Sequence, residues 1–245
     1  MSTIAVIGGT GAGLYPRAAE CSHELPETPW GAPSAPIEIS ERHGHRLLFL
    51  PRHGSAEDIP PHRVNYRANI AALQALGAEQ IIALNAVGGI ALAAVPGAVV
   101  VPDQLIDYTW GRKHTYYDGS RPTLDFIDLS IPYNENIREG LVSAGASLEL
   151  GLLTTATYAV TQGPRLETPA EIDRLERDGN HIVGMTSMPE AALAREIGLP
   201  YASCCNVVNW AAGRSDIDIH AEIQSYLQSG MERSAALIEA FLTRL

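Results

Sequence analysis

Basic residues are scarce in this chain: 17 Lys and Arg stand against 28 Asp and Glu, for a formal net charge of −11. That deficit argues against a nucleic-acid backbone as the partner, because such binding needs a clustered basic face. A small anion gripped by a few local groups stays compatible with it. Cysteines are also few. Cys204 and Cys205 are adjacent and Cys21 is distant, so there is neither a disulfide framework nor a C-x-x-C metal spacing, and a reducing, cytoplasmic setting is expected. The first apolar segment, about five residues with no basic flank, is too short for a signal peptide. A long unbroken apolar run is missing too. "IIALNAVGGIALAAVPGAVVV" (81–101) is interrupted by Asn85, Gly88, Gly89, Pro96 and Gly97, which reads as buried strands joined by a turn and not as a membrane span.

What is present suits a packed globular chain. With 245 residues and 46% hydrophobic content the chain can bury a substantial core, and a single domain over 1–245 is expected. Short β-rich runs occur at 3–7, 46–50, 80–85, 98–101, 152–160, 181–184 and 201–208. Helical signals lie between several of them. Asn65 caps "NYRANIAALQALGA", which stops at Gly77. Thr168 and Glu171 have capping-box spacing around Pro169, with Gly179 at the far end. Ser187, Pro189, Glu190 and Gly198 repeat the device. From about His220 onward, Ile223, Leu227 and Met231 form the stripe of a long terminal helix. Strands alternating with helices predict an α/β fold, with a mixed, largely parallel central sheet flanked by helices on both faces. Ligands then gather at the carboxyl ends of the strands. The stretch 107–136 has no clear period and reads as a long loop that covers a site or joins an oligomer contact.

The chain opens with "IAVIGGTGAG" (4–13), an apolar run ending in glycines. A dinucleotide fingerprint would place glycines at 9, 11 and 14, but position 14 is Leu. Pro26, Pro29, Pro33 and Pro36 then occupy the place of the crossover helix such a site requires. The turn instead offers Gly8, Gly9 and Gly11, whose N–H groups can approach an anion, with the hydroxyl of Thr10 between them. Three further strand ends carry anion-binding chemistry. Arg52 supplies a planar fork for two phosphate oxygens and His53 a further donor. Thr186 precedes a helix N-terminus. Asn85 and Ala86 lead into a glycine pair. Taken singly, each could equally be a turn, a surface pair or a cap.

The ordered blocks "GGTG" (8–11), "PRHG" (51–54), "HRVNYRANI" (62–70), "NAVGGI" (85–90), "GAVVVPDQLIDYT" (97–109), "TQGPRLETPAEI" (161–172), "VGMTSMPEAALARE" (183–196) and "CNVVNWAAG" (205–213) span essentially the whole chain. In them the chain resembles the trimeric purine nucleoside phosphorylases, in the branch of methylthioadenosine and methylthioinosine phosphorylases. The resemblance implies phosphorolysis: phosphate attacks C1′ of a purine nucleoside, releasing the base and a pentose 1-phosphate. It implies that Thr10, Arg52, His53, Asn85, Ala86 and Thr186 bind phosphate, and that Met185 packs on the ribose.

Asn209 is the implied catalytic residue, stabilising the departing purine, with Trp210 and Ala211 beside it in the substrate site. Adenine-preferring relatives carry Asp at the places of Asn209 and Ala211. Asn209 can instead donate toward O6 or N7, and Glu167 matches the Glu that accepts from N1–H of 6-oxopurines. Such a polar mismatch discriminates by ~10⁴-fold. His220 and Phe126, the latter from a neighbouring subunit, are expected near the sugar 5′ position, which suggests a hydroxyl there, whereas the wording of the motifs is closest to the methylthioinosine branch. No metal or organic cofactor is implied, inorganic phosphate being a co-substrate, and a homotrimer with shared sites is. The competing readings are an adenine-specific methylthioadenosine phosphorylase, a purine nucleoside hydrolase, a non-catalytic purine sensor and, more distantly, a nicotinamide-dependent oxidoreductase.

Overall fold

The computed structural model describes residues 1–119 and 126–245. Part of the expected 107–136 loop, residues 120–125, therefore lies outside the described residues. The strands are β1 (Thr3–Gly8), β2 (Ser22–Glu24), β3 (Ile37–Arg42), β4 (His45–Pro51), β5 (Gln80–Gly89), β6 (Val99–Val100), β7 (Gln104–Asp107), β8 (Thr157–Val160), β9 (Ile182–Gly184) and β10 (Tyr201–Trp210). The helices are α1 (Tyr66–Ala75), α2 (Glu135–Ser147), α3 (Pro169–Arg177), α4 (Ser187–Glu196) and α5 (Ile219–Leu242).

The strands form one sheet in the order β2-β3-β4-β1-β5-β9-β8-β7, with β10 pairing β5 and β6 pairing β10. The pairs β1–β4, β1–β5, β5–β10, β7–β8 and β8–β9 are parallel. The others are antiparallel, so the sheet is mixed and largely parallel, as the alternation of elements predicts. Period-two alternation along β1 divides the core between its two faces. Ala5 and Ile7 pack with Ile70 and Leu73 of α1 and Leu193 of α4. Ile4 and Val6 pack with Leu141 of α2 and Leu237, Ile238 and Phe241 of α5.

The capping signals at two helices are realised. Asn65 accepts from the Ala68 N–H, and Thr168 and Glu171 close a capping box. Gly77, Gly179 and Gly198 all have positive φ beyond helix ends. The third cap differs. At α4 Thr186, not Ser187, holds the N-cap position, without a side-chain cap bond, and the Ser187 hydroxyl pairs inward with Tyr133. Besides strand β2, three features go beyond the sequence reading. The β3–β4 hairpin turns through His43 and Gly44, both at positive φ, as a tight two-residue turn requires. Strand β7 and helix α2 are the other two, the latter starting at Glu135, with Asn134 as its cap, just inside the expected loop.

Candidate active site

A cavity of about 440 Å³ opens at the carboxyl ends of β1, β4, β5 and β10. It brings together Thr10, Arg52, His53, Ala86, Thr186, Met185, Glu167, Asn209 and Ala211 from segments far apart in sequence. Four other residues proposed from the sequence lie elsewhere. The Asn85 amide is buried behind Thr186, Trp210 is half-buried and does not line the cavity, His220 is exposed and Phe126 is 90% exposed.

At the end of the cavity where an anion is expected, the glycine turn is built closely. A Cβ on Gly9 would stand 2.7 Å from the Leu84 carbonyl oxygen and 2.8 Å from Arg52 Nη1, so a side chain is excluded there. Gly11 adopts φ 82°, which favours glycine. Its N–H is not left for a ligand: Gly11 and Gly13 donate to the two carboxylate oxygens of Glu57 at 3.1 and 3.3 Å. The expectation that Gly11 cradles the anion is corrected accordingly, and Thr10 is the residue of the turn that lines the cavity beside Gly9.

Arg52 departs from expectation in a similar way. Its fork grips Glu190 of α4 through Nε (2.6 Å) and Nη2 (2.9 Å), while Nη1 donates to the Leu84 carbonyl. Three of the five guanidinium N–H donors are thus taken, leaving two for a ligand. Burial works against the Arg52 charge, but the adjacent Glu190 carboxylate more than offsets it and the pKa moves up. His53 donates from Nδ1 to the Ile59 carbonyl at 2.8 Å. Burial, then the nearby Arg52 charge, push its pKa below the ordinary 6.5. The neutral ring therefore carries its proton on Nδ1, and Nε2 is an acceptor suited to the P–OH of monohydrogen phosphate, not the further donor expected.

Asn85 acts one step back. Its Nδ2 donates to Thr186 Oγ1 at 2.9 Å, and at 2% exposure it does not line the cavity. An oxygen that already accepts from Asn85 is oriented to donate its own proton elsewhere.

At the other end, β10 shifts register against β5 between Val207 and Asn209. This bulge breaks the period-two alternation, so the consecutive Val208 and Asn209 both line the cavity. The Asn209 amide donates one N–H to the Trp210 carbonyl at 2.7 Å, leaving the second. Trp210 is held by its own N–H to Glu222, so it supports Asn209 through its backbone. Glu167 Oε1 accepts from Thr161 Oγ1 at 2.6 Å, which leaves its second oxygen.

Several lining residues escape the sequence reading: Glu57, Asp58, Val208, Ile219 and Ile223 among them. The helix α5 begins at Ile219 with Asp218 as its cap, so Ile219 and Ile223, four apart, share the inward face. His220 is rotated by one helical step and is exposed, so it does not line this cavity. The apolar stripe from Ile223 reads as core in the sequence; its first turn is cavity wall instead. Among the described residues, Cys21, His23 and Glu38 have ligand atoms within 4.8 Å of one another, but none lines the cavity and Arg17 already pairs with Glu38 at 2.8 Å.

The comparisons with known proteins agree with this geometry. The family model of the phosphorylase superfamily matches residues 3–243, and the chain belongs to that superfamily. It is 49% identical over 245 residues, covering 99% of both chains, to a probable S-methyl-5′-thioinosine phosphorylase of Pseudomonas syringae pv. tomato. It is 41% identical over 246 residues to a 6-oxopurine nucleoside phosphorylase of Pyrococcus furiosus, covering 98% of this chain and 92% of the relative. Among solved structures, methylthioadenosine phosphorylase from Schistosoma mansoni in complex with tubercidin superposes with a TM-score of 0.90 at 30% identity, over 100% of this chain and 92% of that one. Among the described residues no helix is long and apolar enough to cross a membrane.

Proposed function

We propose that the chain catalyses the phosphorolysis of 6-oxopurine nucleosides in purine salvage, with 5′-methylthioinosine as its preferred substrate. The observation that carries the reading is that Glu167 and Asn209 line the same cavity as Thr10, Arg52, His53 and Thr186. One end suits a dianion and the other a purine bearing a carbonyl at C6. Asn209 offers an N–H to O6 or N7, Glu167 accepts from N1–H, and Ala211 can accept nothing from a 6-amino group. The names of the two curated relatives point the same way.

In the reaction the C1′–N9 bond breaks as a phosphate oxygen bonds to C1′, and the proton carried by monohydrogen phosphate ends on the purine. Positive charge growing on the sugar faces the bound phosphate, and negative charge growing on the base faces the Asn209 amide. This is electrostatic preorganisation, for which no metal or organic cofactor is needed. Activity should therefore persist after exhaustive dialysis against a chelator.

The 5′ preference rests on Ile219 and Ile223. Two isoleucines on the wall supply an apolar contact for a thioether methyl and no partner for a hydroxyl. The working form in this reading is a cytoplasmic homotrimer with shared sites. Phe126 and Trp110, 90% and 71% exposed in the single chain, are then covered by a neighbouring copy, and sedimentation at the mass of three chains tests it.

The decisive experiment is a panel of inosine, guanosine, adenosine, methylthioinosine and methylthioadenosine, each with and without phosphate. Methylthioinosine should be cleaved fastest, and only with phosphate. Release of base without phosphate would make the protein a hydrolase, binding without turnover a sensor, and preference for an aminopurine an adenine enzyme.

A further inference from the structure

Arg112 sits in the stretch between β7 and α2, outside the cavity, with only 9% of its surface exposed. All of its hydrogen bonds go to neutral oxygens. Nη1 donates to the carbonyls of Met185 (2.8 Å) and Met188 (2.6 Å) and to the Tyr66 hydroxyl (3.2 Å). Nη2 donates to the carbonyls of Thr161 (3.2 Å) and Gln162 (2.8 Å), and Nε to the Gln162 side-chain oxygen (3.1 Å). Arg52, by contrast, is neutralised by a carboxylate.

The Tyr66 hydroxyl belongs to α1, and the other five acceptors fall into two groups with different duties. Thr161 and Gln162 leave β8 toward Glu167, and the Thr161 hydroxyl holds that carboxylate. Met185 and Met188 flank Thr186, which lines the anion-binding end. One rigid, planar cation therefore clamps the exit of β8 to the exit of β9. In a buried setting neither arm can shift without weakening charge-assisted bonds to the other, so order imposed on one arm is passed to the second.

We infer that Arg112 is a positioning residue that couples the purine-reading and phosphate-reading halves of the site, so that occupation of either half strengthens binding at the other. The inference rests on the functional reading above.

The test is calorimetric titration of inorganic phosphate into the full-length protein with and without saturating hypoxanthine. In the wild type hypoxanthine should tighten phosphate ~10-fold, and phosphate should tighten hypoxanthine by the same factor, since such coupling is reciprocal. In R112M the factor should fall below ~2-fold. R112K keeps a cation but not the planar fork, and should lose most of the coupling even if R112M does not fold. A merely structural Arg112 would weaken each ligand alone and leave the ratio unchanged, and that result, or a wild type without coupling, overturns the proposal. Failure of the functional reading is separate: the wild type would then release no base from any nucleoside in the presence of phosphate.

Discussion

Arg52 and Glu190 form a doubly bonded ion pair, at 2.6 and 2.9 Å, in which neither side chain is exposed. The pair joins the end of β4 to α4, and the Tyr201 hydroxyl of β10 donates to the same carboxylate at 2.9 Å. It fixes where the two remaining Arg52 donors point. Removing one partner of a buried pair strands the other's charge at a cost of about 3–5 kcal/mol. Glu190→Gln should therefore lower unfolding free energy by about 3 kcal/mol in urea titrations. The double variant Glu190→Gln, Arg52→Met should lose clearly less than the sum of the single losses, because no buried charge is left unpaired. Additive losses would show that the pair is not coupled.

Asn85 makes a narrower claim on phosphate. With its Nδ2 on Thr186 Oγ1, Asn85→Ala frees the hydroxyl to rotate and leaves the nucleoside walls untouched. The loss of one oriented hydrogen bond to an anion is worth ~1.5 kcal/mol, so KM for phosphate should rise about 10-fold with KM for the nucleoside nearly constant. Steady-state kinetics varying each substrate in turn decide this, and an equal rise in both constants would contradict it.

Asn209 carries the transition-state argument. Asn209→Ala removes the donor proposed to face the departing purine and should lose ~3 kcal/mol of transition-state stabilisation, about two orders of magnitude in kcat/KM. Unchanged turnover of methylthioinosine or inosine in this variant would refute the role.

How far the sequence reaches can be judged at particular residues. The capping box at Thr168 and Glu171 is legible because its signal is local, and so are the strand ends carrying Thr10, Arg52 and Thr186. Helix α2 is not. It carries Gly140 and Gly145 in its interior, positions that weaken any local helical preference. The structure explains them by packing: a Cβ on Gly140 would lie 2.5 Å from Phe241 Cε2, and one on Gly145 would run into Leu152 Cδ1. The bulge at Val208 and the capture of Arg52 by Glu190, 138 residues further along, are also long-range facts that no window along the chain can see. His220 enters from the family resemblance and not from any helix signal, and the phase of α5 leaves it exposed beside the inward Ile219 and Ile223.

His53 predicts a pH dependence of stability. Burial and the Arg52 charge lower its folded pKa below the ordinary 6.5, so the unfolded chain binds the proton more readily. Unfolding free energy should be unaffected by this group above about pH 6.5, and should fall as pH drops from there through the folded pKa. His53→Gln removes the titration, so its stability curve should be flatter than the wild type's over that interval. Matching slopes would mean that His53 is not held neutral in the folded protein.

The wall formed by Ile219 and Ile223 yields the sharpest test of substrate choice. Ile223→Thr keeps the branched shape, removes a methylene and methyl contact, and places a hydroxyl where the proposed thioether methyl rests. Apolar contacts of this size are worth about 1–3 kcal/mol in discrimination. The ratio of kcat/KM for methylthioinosine to that for inosine should therefore fall by about 10- to 100-fold, through loss of the first and gain of the second. His220→Ala, changing an exposed side chain on the same helical turn, should leave the ratio where it is. If instead His220→Ala lowers inosine turnover while Ile223→Thr leaves the ratio unchanged, the 5′ group meets the face of α5 that lies outside this chain's own cavity, and a neighbouring copy would have to complete the sugar site there.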